Sequence, residues 1–294
     1  MPARLLALSI VCLLLPFLTA AEPASTSAPA PKPSINDAAL DKLGWKLGCQ
    51  AWTFRKLSLF ETLDTLQGLG IHYIEMYPGQ HLSKEQADVK FDHNATQEQI
   101  DAVLAKCKSA GVTPMSYGVV GLTNDEAEAR KVFEFAKRMG LSQIVSEPPA
   151  DAFAMLDKLT DEYHIKLAIH DHPKPSHYWN PDTVLEVVKD RSNRIGACAD
   201  VGHWYRSGLV PVDCLKKLEG RIIELHFKDI APNKEDVPWG SGKCDVPAML
   251  AELKRQNVKA LFSIEYETGE GAELLNNVAK SIDYFSQQVS ELAK

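Results

Sequence analysis

Four ionisable residues stand directly after short apolar runs: Glu147 after Gln143 to Ser146, Asp200 after Ile195 to Ala199, His226 after Ile222 to Leu225, and Glu265 after Leu261 to Ile264. A carboxylate or imidazole that ends a buried strand is poorly solvated, and gathering three carboxylates there without a cation is costly. A shared divalent ion relieves that repulsion. The donor set is hard and rich in oxygen, which suits Mn2+ first and Mg2+, Co2+ or Zn2+ as alternatives. Three anionic ligands on a dication leave a net charge near -1, so neutral hydroxyl and carbonyl oxygens are expected as partners rather than phosphates, unless Lys228 or Lys243 compensates.

Further groups accompany these four. His170 and His172 flank Asp171 at the end of another apolar run, where they could supply a general acid or base or orient a ligand. In Asp200-Val-Gly-His203 the histidine follows one short turn after a candidate ligand, close enough to bond a substrate oxygen; a capped loop histidine is the alternative. Trp52, Tyr77, Tyr117, Trp204 and Trp239 follow strands or lie in nearby loops. Aromatic faces suit sugar rings, and Trp52, Tyr117 and Trp239 are taken as substrate-binding candidates with His203 and Lys228, although core packing explains any one aromatic equally well.

Residues so scattered along a chain meet only if the elements bearing them point one way. The chain repeats one pattern: a helical amphipathic stretch, a Gly or polar break, a short apolar β-rich run, then a polar loop. Strands are expected at 46–51, 73–76, 113–117, 143–146, 166–169, 195–199, 222–225 and 261–264, with helices between them and a last helix over 272–292. Such alternation predicts an α/β protein with a parallel sheet, and this number of units predicts a single-domain (β/α)8 TIM barrel. In that fold, polar residues at the carboxyl ends of the strands converge on one mouth. An open doubly wound sheet would need a Gly-rich turn after its first strand, where this chain has Trp52-Thr-Phe-Arg55.

The start of the chain is different. Residues 1–21 have the order of a secretory signal, with Arg4, an apolar run from Leu5 to Leu18, and small residues at Ala20 and Ala21. Residues 22–43 read as a Pro/Ala/Ser-rich tether, and 44–294 as the barrel. Export to the periplasm or outside the cell is expected, with no membrane span. A net charge of -7 without clustered Lys and Arg argues against nucleic acid. Outside the leader the five cysteines, Cys49, Cys107, Cys198, Cys214 and Cys244, form no C-x-x-C pair and are expected to be mostly buried small residues. A homo-oligomer is left open.

Taken together, Glu147, Asp200-Val-Gly-His203, His226-Phe-Lys228-Asp229, the loop Trp239-Gly-Ser-Gly-Lys-Cys-Asp245 and Ile264-Glu265 resemble the xylose isomerase-like (β/α)8 superfamily, and within it the sugar phosphate isomerase/epimerase group. The resemblance implies that Glu147, Asp200, His226 and Glu265 hold the metal, and that the two glutamates move a proton at the carbon beside a carbonyl. Many relatives carry a carboxylate where this chain has His170. Neither an Arg cluster nor a helix amino terminus is set aside for phosphate, so a non-phosphorylated keto-sugar is expected, isomerised or epimerised through a metal-stabilised enediolate. The alternatives are a 3-keto-glycoside lyase or hydratase, in which His170 or His172 protonates the leaving oxygen, and a non-catalytic carbohydrate-binding protein.

Overall fold

The apolar runs read from the sequence become strands in the computed structural model, which describes residues 32–294. They are β1 (Lys46–Gln50) and β2 (Tyr73–Met76), a small hairpin of β3 (Gln80–His81) and β4 (Lys90–Phe91), then β5 (Thr113–Tyr117), β6 (Gln143–Ser146), β7 (Lys166–His170), β8 (Ile195–Asp200), β9 (Ile222–Phe227) and β10 (Leu261–Ile264). Without the hairpin, the order β1-β10-β9-β8-β7-β6-β5-β2 closes into a barrel of parallel neighbours. The chain is therefore an α/β TIM barrel, as its alternating pattern predicts.

The strands are nearly all apolar because each is covered on both sides, by side chains inside the barrel and by helices outside. The helices are α1 (Asp37–Leu43), α2 (Leu59–Leu69), α3 (Gln97–Ala110), α4 (Glu126–Met139), α5 (Phe153–Tyr163), α6 (Pro181–Val188), α7 (Val201–Arg206), α8 (Pro211–Lys217), α9 (Val246–Arg255) and α10 (Gly271–Leu292). Their ends are written in the sequence. Thr96 with Gln99 forms the predicted capping box of α3, and Ser58 with Glu61 forms another on α2. Gly111 and Gly140 close α3 and α4 at φ of +67° and +69°, where a side chain would be strained.

Three strands run past the apolar stretches that announced them. β7 includes His170, β8 includes Asp200, and β9 continues through His226 to Phe227. The ladder register places Asp200 beside His226, and His226 beside Ser263 on β10. The tether reading of 22–43 is corrected in part. Residues Asp37–Leu43 form α1, capped by Asn36, with Ala39 and Leu40 buried. Seven residues with two apolar anchors carry too little periodicity to be read as a helix. The leader and the first part of the tether, residues 1–31, lie outside the described residues.

The five described cysteines are all buried and free. Among the described residues no helix is long and apolar enough to cross a membrane.

Candidate metal centre and active site

Asp200 ends β8 and also caps α7, its Oδ1 accepting from the His203 backbone N–H at 2.8 Å. That cap explains the Asp-x-x-His spacing. One helical turn returns the imidazole to the cap, leaving His203 Nε2 3.4 Å from Asp200 Oδ2 and 3.5 Å from Glu267 Oε1. The Asp200 N–H donates to Asp171 Oδ1 at 2.8 Å, so the residue between His170 and His172, just past β7, fixes the end of β8. Burial, and then the charge of Asp200, push the Asp171 carboxyl well above the usual range.

At the centre, His170, Asp200, His226 and Glu265 can each offer one ligand atom, all within 4.8 Å of one another, and all four residues are buried. His226 Nε2 is bound to Glu75 Oε2 at 2.7 Å beneath the mouth. Its Nδ1 has no hydrogen-bond partner; it lies 3.0 Å from Glu265 Oε2 without the alignment of a hydrogen bond. Lys228 is fully buried and donates to Asp200 Oδ2 and, at 2.5 Å, to Glu265 Oε2. Burial disfavours its charge, but the adjacent carboxylates of Asp200 and Glu265 outweigh that and hold the ammonium well above its usual pKa. The donor set fits a divalent ion, since an orphaned imidazole nitrogen and two carboxylates converge from three strands.

Three of the four ligands expected from the sequence, Asp200, His226 and Glu265, thus come together. Glu147 belongs to a second group, with His170 and His172. Its Oε1 is bonded to His170 Nδ1 at 2.9 Å, to the His172 N–H at 3.0 Å and to the His172 ring, and its Oε2 accepts from Ser176 Oγ at 2.8 Å. Burial opposes its charge, but the bonds from His170 and His172 hold Glu147 well below the usual carboxylate range. The separation follows from strand order: β7 lies between β6 and β8, so the His170 ring stands between Glu147 and Asp200, with Nε2 3.6 Å from Asp200 Oδ2.

A pocket of about 310 Å³ opens above this centre, lined on its polar side by His170, His172, His203, Glu265 and Glu267 and on the other by Gln50, Trp52, Tyr77, Pro78, Gly118 and Val119. Trp52 is exposed and meets Tyr77 edge to face at 5.1 Å between centroids. Two expected substrate-binding residues are core residues instead. Tyr117 is fully buried against Phe135, its hydroxyl accepting from the His93 N–H. Trp239 is buried between Phe227 and Phe285. Both rings turn outward to the helices, which sequence position near a strand end does not reveal. Lys228 is present at the centre but sealed from the pocket.

The sequence reading passed over Glu75 and Glu224, both fully buried inside the barrel. Glu224 accepts from Ser116 Oγ, Gln143 Nε2 and Ser263 Oγ at 2.7, 2.6 and 2.8 Å. Burial, and then the charge of Glu75, push its carboxyl well above the usual range. A lone acid within an apolar run, as in Tyr73-Ile-Glu75-Met76, was the available signal.

A family model described as a xylose isomerase-like TIM barrel matches residues 63–288, and the chain belongs to that family. A solved structure of an uncharacterised protein from Parabacteroides distasonis ATCC 8503 is 33% identical, covers 83% of this chain and 99% of its own, and superposes with a TM-score of 0.67. A D-tagatose 3-epimerase-like protein is 18% identical over 84% of this chain and 98% of its own, with a TM-score of 0.65. A structure described as IOLI protein with a binding zinc atom is 17% identical over 84% and 98%, with a TM-score of 0.64. At these last two identities the likeness is one of fold. No curated protein matches the chain.

Proposed function

We propose that the protein is a metal-dependent enzyme that transfers a proton at the carbon beside the carbonyl of a non-phosphorylated keto-sugar, isomerising or epimerising it. The observation that carries this reading is the convergence of Asp200, His226 and Glu265 on one another, with Glu265 lining a polar pocket and His226 Nδ1 buried and unpartnered. Those three residues would hold the ion. When bound, it supplies Lewis acidity, polarising the sugar carbonyl and easing loss of the neighbouring proton.

The residues around it divide the remaining work. Lys228 fixes Glu265 through Oε2, which leaves the other carboxylate oxygen to face the pocket and accept a proton from carbon. His172 is half-exposed at the pocket, with Nδ1 tied to Glu147, so its other nitrogen is directed by a carboxylate and can return or relay a proton from a different side. His203, capped onto Asp200, presents a nitrogen to substrate oxygens, and Trp52 offers an aromatic face at the rim.

Charge supports this substrate class. No pocket-lining residue is Lys or Arg. Arg206 is engaged by Asp236 and Glu267, and Arg55 by the carbonyl oxygens of Trp52, Tyr266 and Glu267. Nothing in the lining is reserved for a phosphate. The exposed His172 also favours a second reading, in which the same proton abstraction is followed by loss of a β-substituent whose oxygen His172 protonates.

Incubation in D2O with Mn2+ and a panel of ketoses and 3-keto-glycosides, followed by NMR, tests both. Deuterium should enter beside the carbonyl of a turned-over sugar. Exchange accompanied by C–O cleavage selects the lyase, and no exchange into any member of the panel rejects the proposal. Export, expected from residues 1–21, remains part of this proposal and is checked by fractionating cells that express the full chain.

A further inference from the structure

We infer that His170 rather than Glu147 completes the metal site, so that His170, Asp200, His226 and Glu265 hold the ion while Glu147 orients His170 and His172 from outside. This rests on the reading above that a divalent ion binds here. Metal-bound imidazoles characteristically donate their other ring nitrogen to a carboxylate or carbonyl, which sets the tautomer and aims the ligand nitrogen. Both rings at this centre have that arrangement. His226 is held at Nε2 by Glu75 and His170 at Nδ1 by Glu147, at 2.7 and 2.9 Å.

The inner nitrogens are the ones left over. His226 Nδ1 has no partner, and His170 Nε2 stands 3.6 Å from Asp200 Oδ2, beyond hydrogen-bond length. Glu147, by contrast, has both oxygens committed, to His170, His172 and Ser176. To coordinate an ion beside Asp200 it would have to give up those bonds and displace the His170 ring.

The exchange changes the electrostatics. With the Lys228 ammonium at the same oxygens counted, three carboxylates on a dication would leave the centre near neutral, whereas two leave it near +1. Such a centre favours the negative oxygen that forms when a carbon beside a carbonyl loses its proton. Two imidazoles also bring Zn2+ and Co2+ level with Mn2+ as expected occupants.

Pulsed electron paramagnetic resonance on the Mn2+-loaded protein counts directly coordinated nitrogens and needs no substrate. The wild-type protein should show two, His170→Gln one, and Glu147→Gln two with affinity weakened about 10–100-fold. A count of one in the wild type, or loss of Mn2+ binding in Glu147→Gln with normal binding in His170→Gln, would overturn the exchange and leave the metal reading standing. Failure of the wild type to take up Mn2+, Zn2+ or Co2+ would instead defeat the metal reading itself.

Discussion

Glu75 and His226 form a fully buried pair inside the barrel, with Glu75 Oε2 2.7 Å from His226 Nε2. The pair fixes which imidazole nitrogen faces Asp200 and Glu265. Glu75→Gln keeps the volume and an acceptor but removes the charge that makes the ring a strong donor to a metal. Its Mn2+ affinity should fall about tenfold, the lower end for such supporting carboxylates, with the circular dichroism spectrum preserved. A calorimetric titration giving the wild-type affinity would remove Glu75 from the site.

Arg206 joins two loops of the mouth. Its guanidinium donates to Asp236 and Glu267, while Asp236 Oδ2 accepts from the backbone N–H groups of Glu267 and Thr268 at 2.9 and 3.1 Å. Asp236→Ala leaves a largely buried guanidinium with one of its two carboxylate partners. The expected cost is about 3 kcal/mol, read as a lower midpoint in chemical denaturation. A loss below about 0.5 kcal/mol, the scale of surface substitutions, would show that the tie is dispensable.

The architecture was legible because each barrel strand carried its own apolar run and helices such as α2, α3 and α4 their own caps. The mouth was legible in type, since residues ending buried strands in a barrel must point to one face. Two kinds of fact were not. Whether Tyr117 and Trp239 turn toward the mouth or the helices depends on side-chain direction at a single register position. Whether Glu147 reaches the centre depends on what the intervening strand bears, and β7 bears His170. The interior acids Glu75 and Glu224 were hidden because an isolated acid in an apolar run is usually read as an edge residue.

Asp229 organises the loop after β9. Its carboxylate accepts four backbone N–H groups, from Ile230, Gly240, Gly242 and Cys244, at 3.0, 2.9, 2.8 and 3.0 Å. Gly242 is required there, because a Cβ would come within 2.2 Å of Asp229 Oδ1. Asp229→Asn turns an amide group toward some of these donors, and Gly242→Ala pushes the backbone away. Trypsin should cut after Lys243 several-fold faster in both variants. Unchanged cleavage would mean that the loop is held by other contacts.

Acid should unpick one helix start before the rest. Glu61 closes the capping box on Ser58 and pairs with Lys84, and these hydrogen bonds, Lys84 first, lower its pKa from 4.5 to about 2. A carboxyl lowered on folding adds stability that is complete above its unfolded pKa and fades as pH falls toward the folded one. The advantage of the wild type over Glu61→Gln should therefore be full at pH 5 and nearly gone at pH 2. Since the group is partly exposed, the advantage is about 1 kcal/mol. A difference independent of pH across that window would show that the charge of Glu61 adds nothing.

Metal removal should be visible in stability as well as in turnover. An ion that binds the folded centre and not the unfolded chain stabilises by about 2.7 kcal/mol at one hundred times its Kd, which for a barrel of this size is roughly 5–10 °C in Tm. Lys228 complicates the comparison, because its ammonium already holds Asp200 and Glu265 together. Lys228→Met should therefore be destabilised more strongly in chelator than in saturating Mn2+, since only the ion then offsets the two carboxylates. Asp200→Asn should lose most of the Mn2+-dependent rise. Differential scanning calorimetry of the three proteins, with and without Mn2+, separates these effects. A wild-type Tm indifferent to Mn2+, Zn2+ and chelator alike would mean that the ammonium is the resident cation of this centre.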